Sequence, residues 1–298
     1  MNIQESIRSA VQSALLVLKL IVPLFILAEI LLYLDVLQYI SFIFEPITDI
    51  IGLPKEASIG IAAAMFFNIY AGLAFLAPLN LTPYEWTILG IFLGLAHSLV
   101  VENAIMKKVG ISHWYSWSLR IGLAFVAVLP LQFIPQSYFE HTKVAIENIQ
   151  HKVYENFTEM LLYAFKDSLL LSVKVIAIVT IIIFAMNYLK SRDFMKIYQK
   201  NADSFFSILA GLFLGITYGA GIIIAEVKKG TLSKIDILYI GTFLMICHSV
   251  IEDILLFVIF GANGWIILTI RVTMAFVFSY MVIKIYKRIL YANSKIQK

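Results

Sequence analysis

The sequence predicts an all-α, polytopic membrane protein built from two inverted repeats. Three observations predict it: long apolar runs in a chain with few charges, a placement of basic residues that makes two runs turn back, and polar residues that recur in both halves. Of the 298 residues, 61% are hydrophobic and 14% are charged, and the mean hydropathy is +0.89. Soluble domains carry about 25% charged residues. The apolar runs therefore belong in lipid, as helices.

Eight apolar runs are long enough to enter a membrane. The first, 13–34, is too long for the apolar part of a signal peptide, so it predicts a transmembrane helix. Segment 36–52 is amphipathic and contains Pro46, which predicts a position at the membrane interface. Segment 137–166 has apolar residues at helical spacing with charges between them, which predicts an amphipathic linker helix. The eight runs are 13–34, 57–77, 85–107, 114–134, 168–189, 205–227, 235–260 and 264–286.

The basic residues outside these runs indicate which runs cross. If all eight cross and the N-terminus is inside, 12 basic residues lie inside and 7 outside, which fits the positive-inside rule poorly. If 57–77 and 205–227 each enter and leave on one side, the division becomes 15 and 4. The middles of these two runs, FFNIYAG and GITYGAG, carry the polar and glycine residues that suit a helix break.

We therefore expect six crossing helices and two re-entrant helical hairpins. Both termini are then cytoplasmic, and the protein is expected in the plasma (inner) membrane as a multi-pass protein. Each half would have three crossings and one hairpin. Because three is odd, the second half is inverted relative to the first.

The two halves also repeat each other in sequence. The predicted division is a first repeat at 1–136, the linker helix at 137–166 and a second repeat at 167–298. Inverted repeats with discontinuous helices near the midplane are typical of secondary transporters. An offset of 151 residues aligns His97 with His248, Ser98 with Ser249, Glu102 with Asp253, and Arg120 with Arg271.

The repeated motifs resemble a known family. GLAHSLVVENAIMKKVG followed by Arg120, and HSVIEDILLFVIFGAN followed by Arg271, resemble the Gate or nucleoside-recognition membrane domain. By resemblance, that domain also occurs in concentrative nucleoside transporters, ferrous-iron permeases and spore-maturation membrane proteins. The resemblance covers both halves apart from the linker and implies a transport-type fold with re-entrant hairpins, without fixing a substrate. The first half has Val101-Glu102 where the second has Glu252-Asp253, so the halves need not contribute equally to a site.

Two ion pairs are predicted from the spacing. Glu102 and Arg120 are nine residues either side of a predicted turn between antiparallel helices, as are Asp253 and Arg271. An arginine in lipid needs a partner, and a carboxylate supplies one. We expect these pairs to hold the antiparallel helices together, or to act as a gate or proton site. Glu252 is grouped with them.

The histidine-serine pairs are the predicted substrate site. Histidines within apolar runs are candidates for binding or proton transfer, although they can also bond neighbouring helices. Their repetition opposite the predicted hairpin tips favours a site. The predicted substrate-binding residues are His97, Ser98, His248, Ser249, Asn68, Tyr70, Thr217 and Tyr218.

Three functional hypotheses follow. The first is a secondary transporter or permease for a small polar solute, nucleoside-like by family analogy. The second is a divalent metal permease using His97, His248, Glu252 and Asp253, against which stand the arginine partners and the absence of a cysteine pair. The third is a membrane scaffold that transports nothing.

The remaining expectations concern chemistry and partners. Adjacent histidine and serine residues point in different directions on a helix, so no catalytic pair and no enzyme are expected. No resident metal or cofactor is expected. The expected partners are the lipid bilayer and the solute, but no nucleic acid. A coupling ion, either a proton or sodium, and a homo-oligomer are left open.

Overall fold

The computed structural model describes residues 3–36, 39, 41–139, 154–190, 208, 211–212, 223–224, 226–227, 230 and 232–296. These residues form α-helices, two short 3₁₀ turns and no strand. The all-α prediction is therefore confirmed. The helices are α1 (Ile3–Tyr33), α2 (Glu45–Ile51), α3 (Ala57–Phe66), α4 (Ile69–Leu76), α5 (Pro83–Ala96), α6 (Leu99–Val109), α7 (His113–Val128), α8 (Phe157–Lys190), α9 (Lys234–Ile246), α10 (Val250–Val258) and α11 (Gly264–Ile296).

Six described segments are long and apolar enough to cross a bilayer. They have between 21 and 32 residues, and about 20 are needed to span the hydrocarbon core. The chain is thus a polytopic membrane protein, and the six segments correspond to the six predicted crossings. They are Ile3–Tyr33, Pro83–Val109, His113–Phe133, Phe157–Tyr188, Lys234–Val258 and Gly264–Ala292.

Several helices are longer than the apolar runs that predicted them. α1 begins ten residues before the predicted start at 13, and α8 begins at Phe157, within the predicted linker at 137–166. α8 begins there because the Asn156 side chain accepts a hydrogen bond from the backbone N–H of Glu159, as a helix N-cap does. The end of the predicted linker is therefore the start of a span. Residues 140–153 lie outside the described part of the chain.

The run at 57–77 folds back on itself, as α3 and α4. The side chain of Asn68 accepts a hydrogen bond from the backbone N–H of Ala71 at 3.0 Å, which caps α4 where the chain turns. The two legs are in close contact. A Cβ on Gly72 would lie 2.9 Å from the carbonyl oxygen of Gly60, so only glycine permits this approach.

α1 and α8, the first long helices of the two predicted repeats, pack along each other in opposite directions. At one end the Asn187 side chain donates to the Ser6 hydroxyl at 3.0 Å. At the other end the rings of Tyr33 and Phe157 have centroids 5.9 Å apart. This antiparallel relation is the one that inverted repeats require.

The centre of the molecule is formed by two interrupted spans, α5–α6 and α9–α10. The chain leaves the helix between α5 and α6 at His97 and Ser98, and between α9 and α10 at residues 247–249. The sequence predicted uninterrupted helices at 85–107 and 235–260, and that prediction was wrong. Neither break contains proline or glycine, so the sequence contained no sign of either break.

The two interrupted spans also run in opposite directions. Trp86, near the start of α5, stacks on Phe260, just beyond the end of α10, with ring centroids 4.3 Å apart. At the other end, Ile111 follows α6 and contacts α9 at Gly241, where a Cβ would lie 2.8 Å from the isoleucine side chain. The crossing of the two spans brings their breaks together.

Candidate functional site

Each break is opened by a tertiary hydrogen bond from a serine backbone. In a continuous helix the N–H of Ser98 would donate to the carbonyl four residues earlier. It donates instead to the carbonyl of Ala64 in α3, at 2.8 Å, and the N–H of Ser249 donates to the carbonyl of Gly211 at 3.4 Å. Both serines adopt left-handed backbone, with φ of 48° and 47°, which costs about 1–2 kcal/mol for a residue other than glycine.

The arginines bond the carbonyl groups that the breaks expose. A helix end within a protein leaves carbonyl oxygens without partners, and a cation there also complements the helix dipole. Arg120 donates from Nε to the carbonyl of Leu95 at 2.7 Å and from Nη2 to that of His97 at 2.8 Å. Arg271 donates from Nη2 to the carbonyl of His248 at 2.9 Å. The sequence did not predict this capping role.

Each arginine also lies against the carboxylate that the sequence assigned to it. Arg120 Nη1 is 2.7 Å from Glu102 Oε2, and Arg271 Nη1 is 3.0 Å from Asp253 Oδ2. All four residues are buried. The carboxylates lie in the first turns of α6 and α10, where the helix dipole favours negative charge. A role for the pairs as a gate remains a prediction.

The two histidines lie against each other across the crossing point. Their ring centroids are 5.3 Å apart, and His97 and His248 are 5% and 1% exposed. Each Nδ1 is 2.7 Å from the backbone carbonyl four residues earlier, on Leu93 and Leu244. Both Nε2 atoms point at one oxygen, Glu102 Oε1, at 3.1 Å and 3.3 Å. Glu102 therefore joins the two halves of the chain.

A second contact joins the hairpin to the other half. The Tyr70 hydroxyl donates to Glu252 Oε1 at 2.6 Å. Glu252, which the sequence grouped with the ion pairs, has no arginine partner in the described part of the chain. The reason is geometric: consecutive residues on a helix point about 100° apart, so Glu252 cannot share the direction of Asp253.

The other predicted site residues have simpler positions. Asn68 uses its side-chain oxygen to cap α4. The hydroxyls of Ser98 and Ser249 do not cap the helices that follow them. Thr217 and Tyr218 lie outside the described residues, as does most of the run at 205–227.

One set of side chains in this cluster has the spacing of metal ligands. The ligand atoms of His97, His248 and Asp253 all lie within 4.8 Å of one another. However, Asp253 is already paired with Arg271, and Arg120 lies on the neighbouring carboxylate. A divalent cation could use the Asp253 carboxylate only by displacing Arg271, which would leave that buried arginine without its countercharge. We assign no metal centre to these residues.

An apolar groove lies away from the histidines, on the outer side of α10 and α11. It encloses about 590 Å³, and Ile251, Leu255 and Trp265 are among its lining residues. These three side chains are exposed, and their apolar character suits contact with lipid. None of the groove's lining residues belongs to the histidine cluster.

The fold and the buried cluster define an integral membrane protein whose helices cross the bilayer several times. The chain is 28% identical over 281 residues to the Bacillus subtilis (strain 168) protein YvoD, described as an uncharacterized membrane protein; the match covers 91% of this chain and 90% of YvoD. No family model and no solved structure matches the chain. The resemblance to the Gate domain thus depends on the quoted motifs alone.

Proposed function

We propose that the protein is a secondary transporter for a small polar solute, with its site where the two helix breaks meet. One observation carries the proposal: antiparallel broken helices from both halves bring buried ionisable side chains into a single cluster. Ionisable groups within a membrane are costly and mark substrate or ion pathways. Helices that are broken within a membrane span are a recurrent feature of secondary transporters.

The arrangement of the halves supports inverted repeats. The first long helices run antiparallel, the interrupted spans run antiparallel, and both breaks have left-handed serines and arginine-capped carbonyls. In our proposal one half rocks against the other. The contacts between halves, Glu102 with His248 and Tyr70 with Glu252, would then break, while Glu102 stays with His97.

The alternatives fit the cluster less well. A metal permease would have to place its cargo beside Arg120 and Arg271. A scaffold needs no buried charges, because apolar side chains of similar size stabilise a core as well or better. A solute hydroxyl can donate and accept hydrogen bonds, so it can replace the contacts between imidazole and carboxylate. A nucleoside is suggested only by the family resemblance.

A ligand screen tests this function. Purified protein would be screened by thermal shift against nucleosides, other hydroxylated solutes, anions and divalent metals, and the stabilising compounds would be assayed for uptake into proteoliposomes. We expect His97→Ala and His248→Ala to lose both stabilisation and uptake while remaining folded. His113→Ala, at an exposed histidine, is the matched control. Unchanged uptake in both cluster variants would contradict the proposed site.

The inverted orientation has its own test. Single cysteines at Lys55 and Lys108 would be introduced in a Cys247→Ser background, since Cys247 is the only cysteine in the sequence. With the N-terminus in the cytoplasm and the run at 57–77 returning to the side it enters, one crossing precedes position 55 and two precede position 108. Position 55 then lies outside and position 108 in the cytoplasm. A membrane-impermeant thiol reagent should label only position 55 in intact cells. Labelling of position 108 from outside would contradict the inverted arrangement.

A further inference from the structure

The hydrogen-bond pattern around the two histidines constrains where protons lie. A carbonyl oxygen only accepts hydrogen bonds, so the Nδ1 atoms that face the carbonyls of Leu93 and Leu244 must each carry a hydrogen. In a neutral ring, Nε2 then has a lone pair and no hydrogen. Both histidines are fixed in this form by their own helices.

The Nε2 atoms nevertheless face an acceptor. Glu102 Oε1 lies 3.1 Å from Nε2 of His97 and 3.3 Å from Nε2 of His248. An ionised carboxylate offers only lone pairs, so neutral rings would place lone pairs against lone pairs in both contacts. A hydrogen bond forms only when a proton lies between the two atoms. The geometry therefore requires at least one added proton among these three side chains.

The formal charges around the cluster are also balanced by one added proton. Among the described residues, and with both histidines neutral, the carboxylates of Glu102, Glu252 and Asp253 exceed Arg120 and Arg271 by one negative charge, which one proton balances. A net charge buried away from water is costly. Sodium would bring the same charge, but hard cations take oxygen ligands, and two of the three converging atoms are nitrogens. In the part of the chain that the structure describes, the other titratable and charged side chains around the cluster are Tyr70, Arg120, Cys247, Glu252, Asp253 and Arg271.

We infer that His97, Glu102 and His248 hold a proton that both halves share, and that this proton is the coupling ion. The coupling role rests on the proposed transport function. In the present conformation the proton stabilises the contact between Glu102 and His248, which belong to different halves. Separation of the halves exposes these atoms, so the proton can leave or enter on the side that opens.

Nuclear magnetic resonance of the full chain tests the proton. The protein would carry ¹⁵N in histidine and ¹³C in glutamate, with His97→Gln and His248→Gln to assign the rings and His113→Gln as the control. We expect both Nδ1 atoms protonated and, near pH 7, a proton on at least one Nε2 or on the Glu102 carboxyl. Two neutral Nδ1–H rings beside an ionised Glu102 would overturn the inference.

Glu102→Gln sharpens that test. Its amide group donates hydrogen bonds, so it satisfies Nε2 lone pairs without an added proton. We expect both rings to be neutral near pH 7 in this variant. Persistent Nε2 protonation would overturn the inferred role of Glu102. If the variant does not fold, the wild-type spectra still decide whether the proton is present.

Transport tests the coupling separately. Proteoliposomes containing the wild-type protein and a pH-sensitive dye would be given a solute identified by the screen. Acidification of the lumen during uptake is expected. Uptake without proton movement would overturn the coupling role and leave the proposed function standing. The lack of any uptake would overturn both, while the spectra would still decide on the proton itself.

Discussion

The two helix breaks share a backbone but differ in what their carboxylates contact. In each break a left-handed serine follows a histidine, whose carbonyl accepts a hydrogen bond from an arginine. Glu102, in the first half, contacts an arginine and both histidines. Asp253, one methylene shorter, forms its ion pair with Arg271. The backbone of the two breaks is therefore alike, and one side-chain difference makes Glu102 the centre of the cluster.

The two arginines also differ, in the number of backbone carbonyls that they bond. Arg120 donates to two backbone carbonyls, those of Leu95 and His97. Arg271 donates to one, and its buried Nε has no hydrogen-bond partner among the described residues. Each arginine makes two hydrogen bonds, because Arg271 also donates from Nη1 to Asp253 Oδ2, but the first break has two backbone carbonyls bonded by its arginine and the second has one. Substitutions at the arginines, at the carboxylate and histidine pairs and at the serines test this difference.

Removal of an arginine should have the largest effect. Arg120→Leu leaves Glu102 without its arginine and two carbonyls without donors, and breaking a buried ion pair costs about 3–5 kcal/mol. Glu102→Gln should also destabilise strongly, because it leaves Arg120 without its countercharge. The double variant should recover part of the loss, since neither charge is then left alone. Denaturant unfolding of the purified protein in detergent measures each free energy.

Arg271→Leu is the matched control for the first break. It also leaves a carboxylate without its arginine, but it removes the donor from one carbonyl rather than two. We expect it to cost less than Arg120→Leu by about 1–3 kcal/mol, the cost of one unsatisfied buried acceptor. An equal or greater loss would show that the first break is not the more strongly held. Single variants that unfold like the wild type would show that Glu102 and Arg120 are not partners.

An intermediate effect is expected for the coupling between the halves. A double-mutant cycle of Glu102→Ala with His248→Ala should give an interaction energy of about 0.5–3 kcal/mol, as residues in one hydrogen-bond network do. The same cycle with Asp253→Ala and His97→Ala should give a smaller energy, because Asp253 bonds to Arg271 instead. Equal energies in the two cycles would mean that the carboxylates are equivalent.

The smallest effect is expected at the serines. Ser98→Gly and Ser249→Gly remove the cost of a left-handed conformation and add flexibility to the unfolded chain, so each should change stability by less than about 1 kcal/mol. Ser98→Val should destabilise, because a β-branched residue resists positive φ. Thermal unfolding of the four proteins, including wild type, measures this. A large loss of stability in only one of the two glycine variants would show that the breaks are not structurally equivalent.

The sequence determined the elements and their approximate order. Apolar length gave eight candidate runs, because a bilayer demands helices of about 20 residues, and the positions of the basic residues selected the six that correspond to the long apolar helices of the structure. The matching spacing of Glu102 with Arg120 and of Asp253 with Arg271 placed each pair at one depth, and both pairs are in contact. The polar middle of the run at 57–77 correctly indicated that this segment turns. Each of these features depends on local composition or on spacing along neighbouring helices.

Where the spans break and which side chains meet depend on tertiary contacts. The break at Ser98 depends on an acceptor from α3, distant in sequence, so no local pattern reveals it. The contact of Glu102 with His248 and that of Tyr70 with Glu252 depend on how two antiparallel spans cross. Sequence spacing reports the direction of a side chain only while the helix is continuous. Once the helix opens, packing between the halves sets that direction.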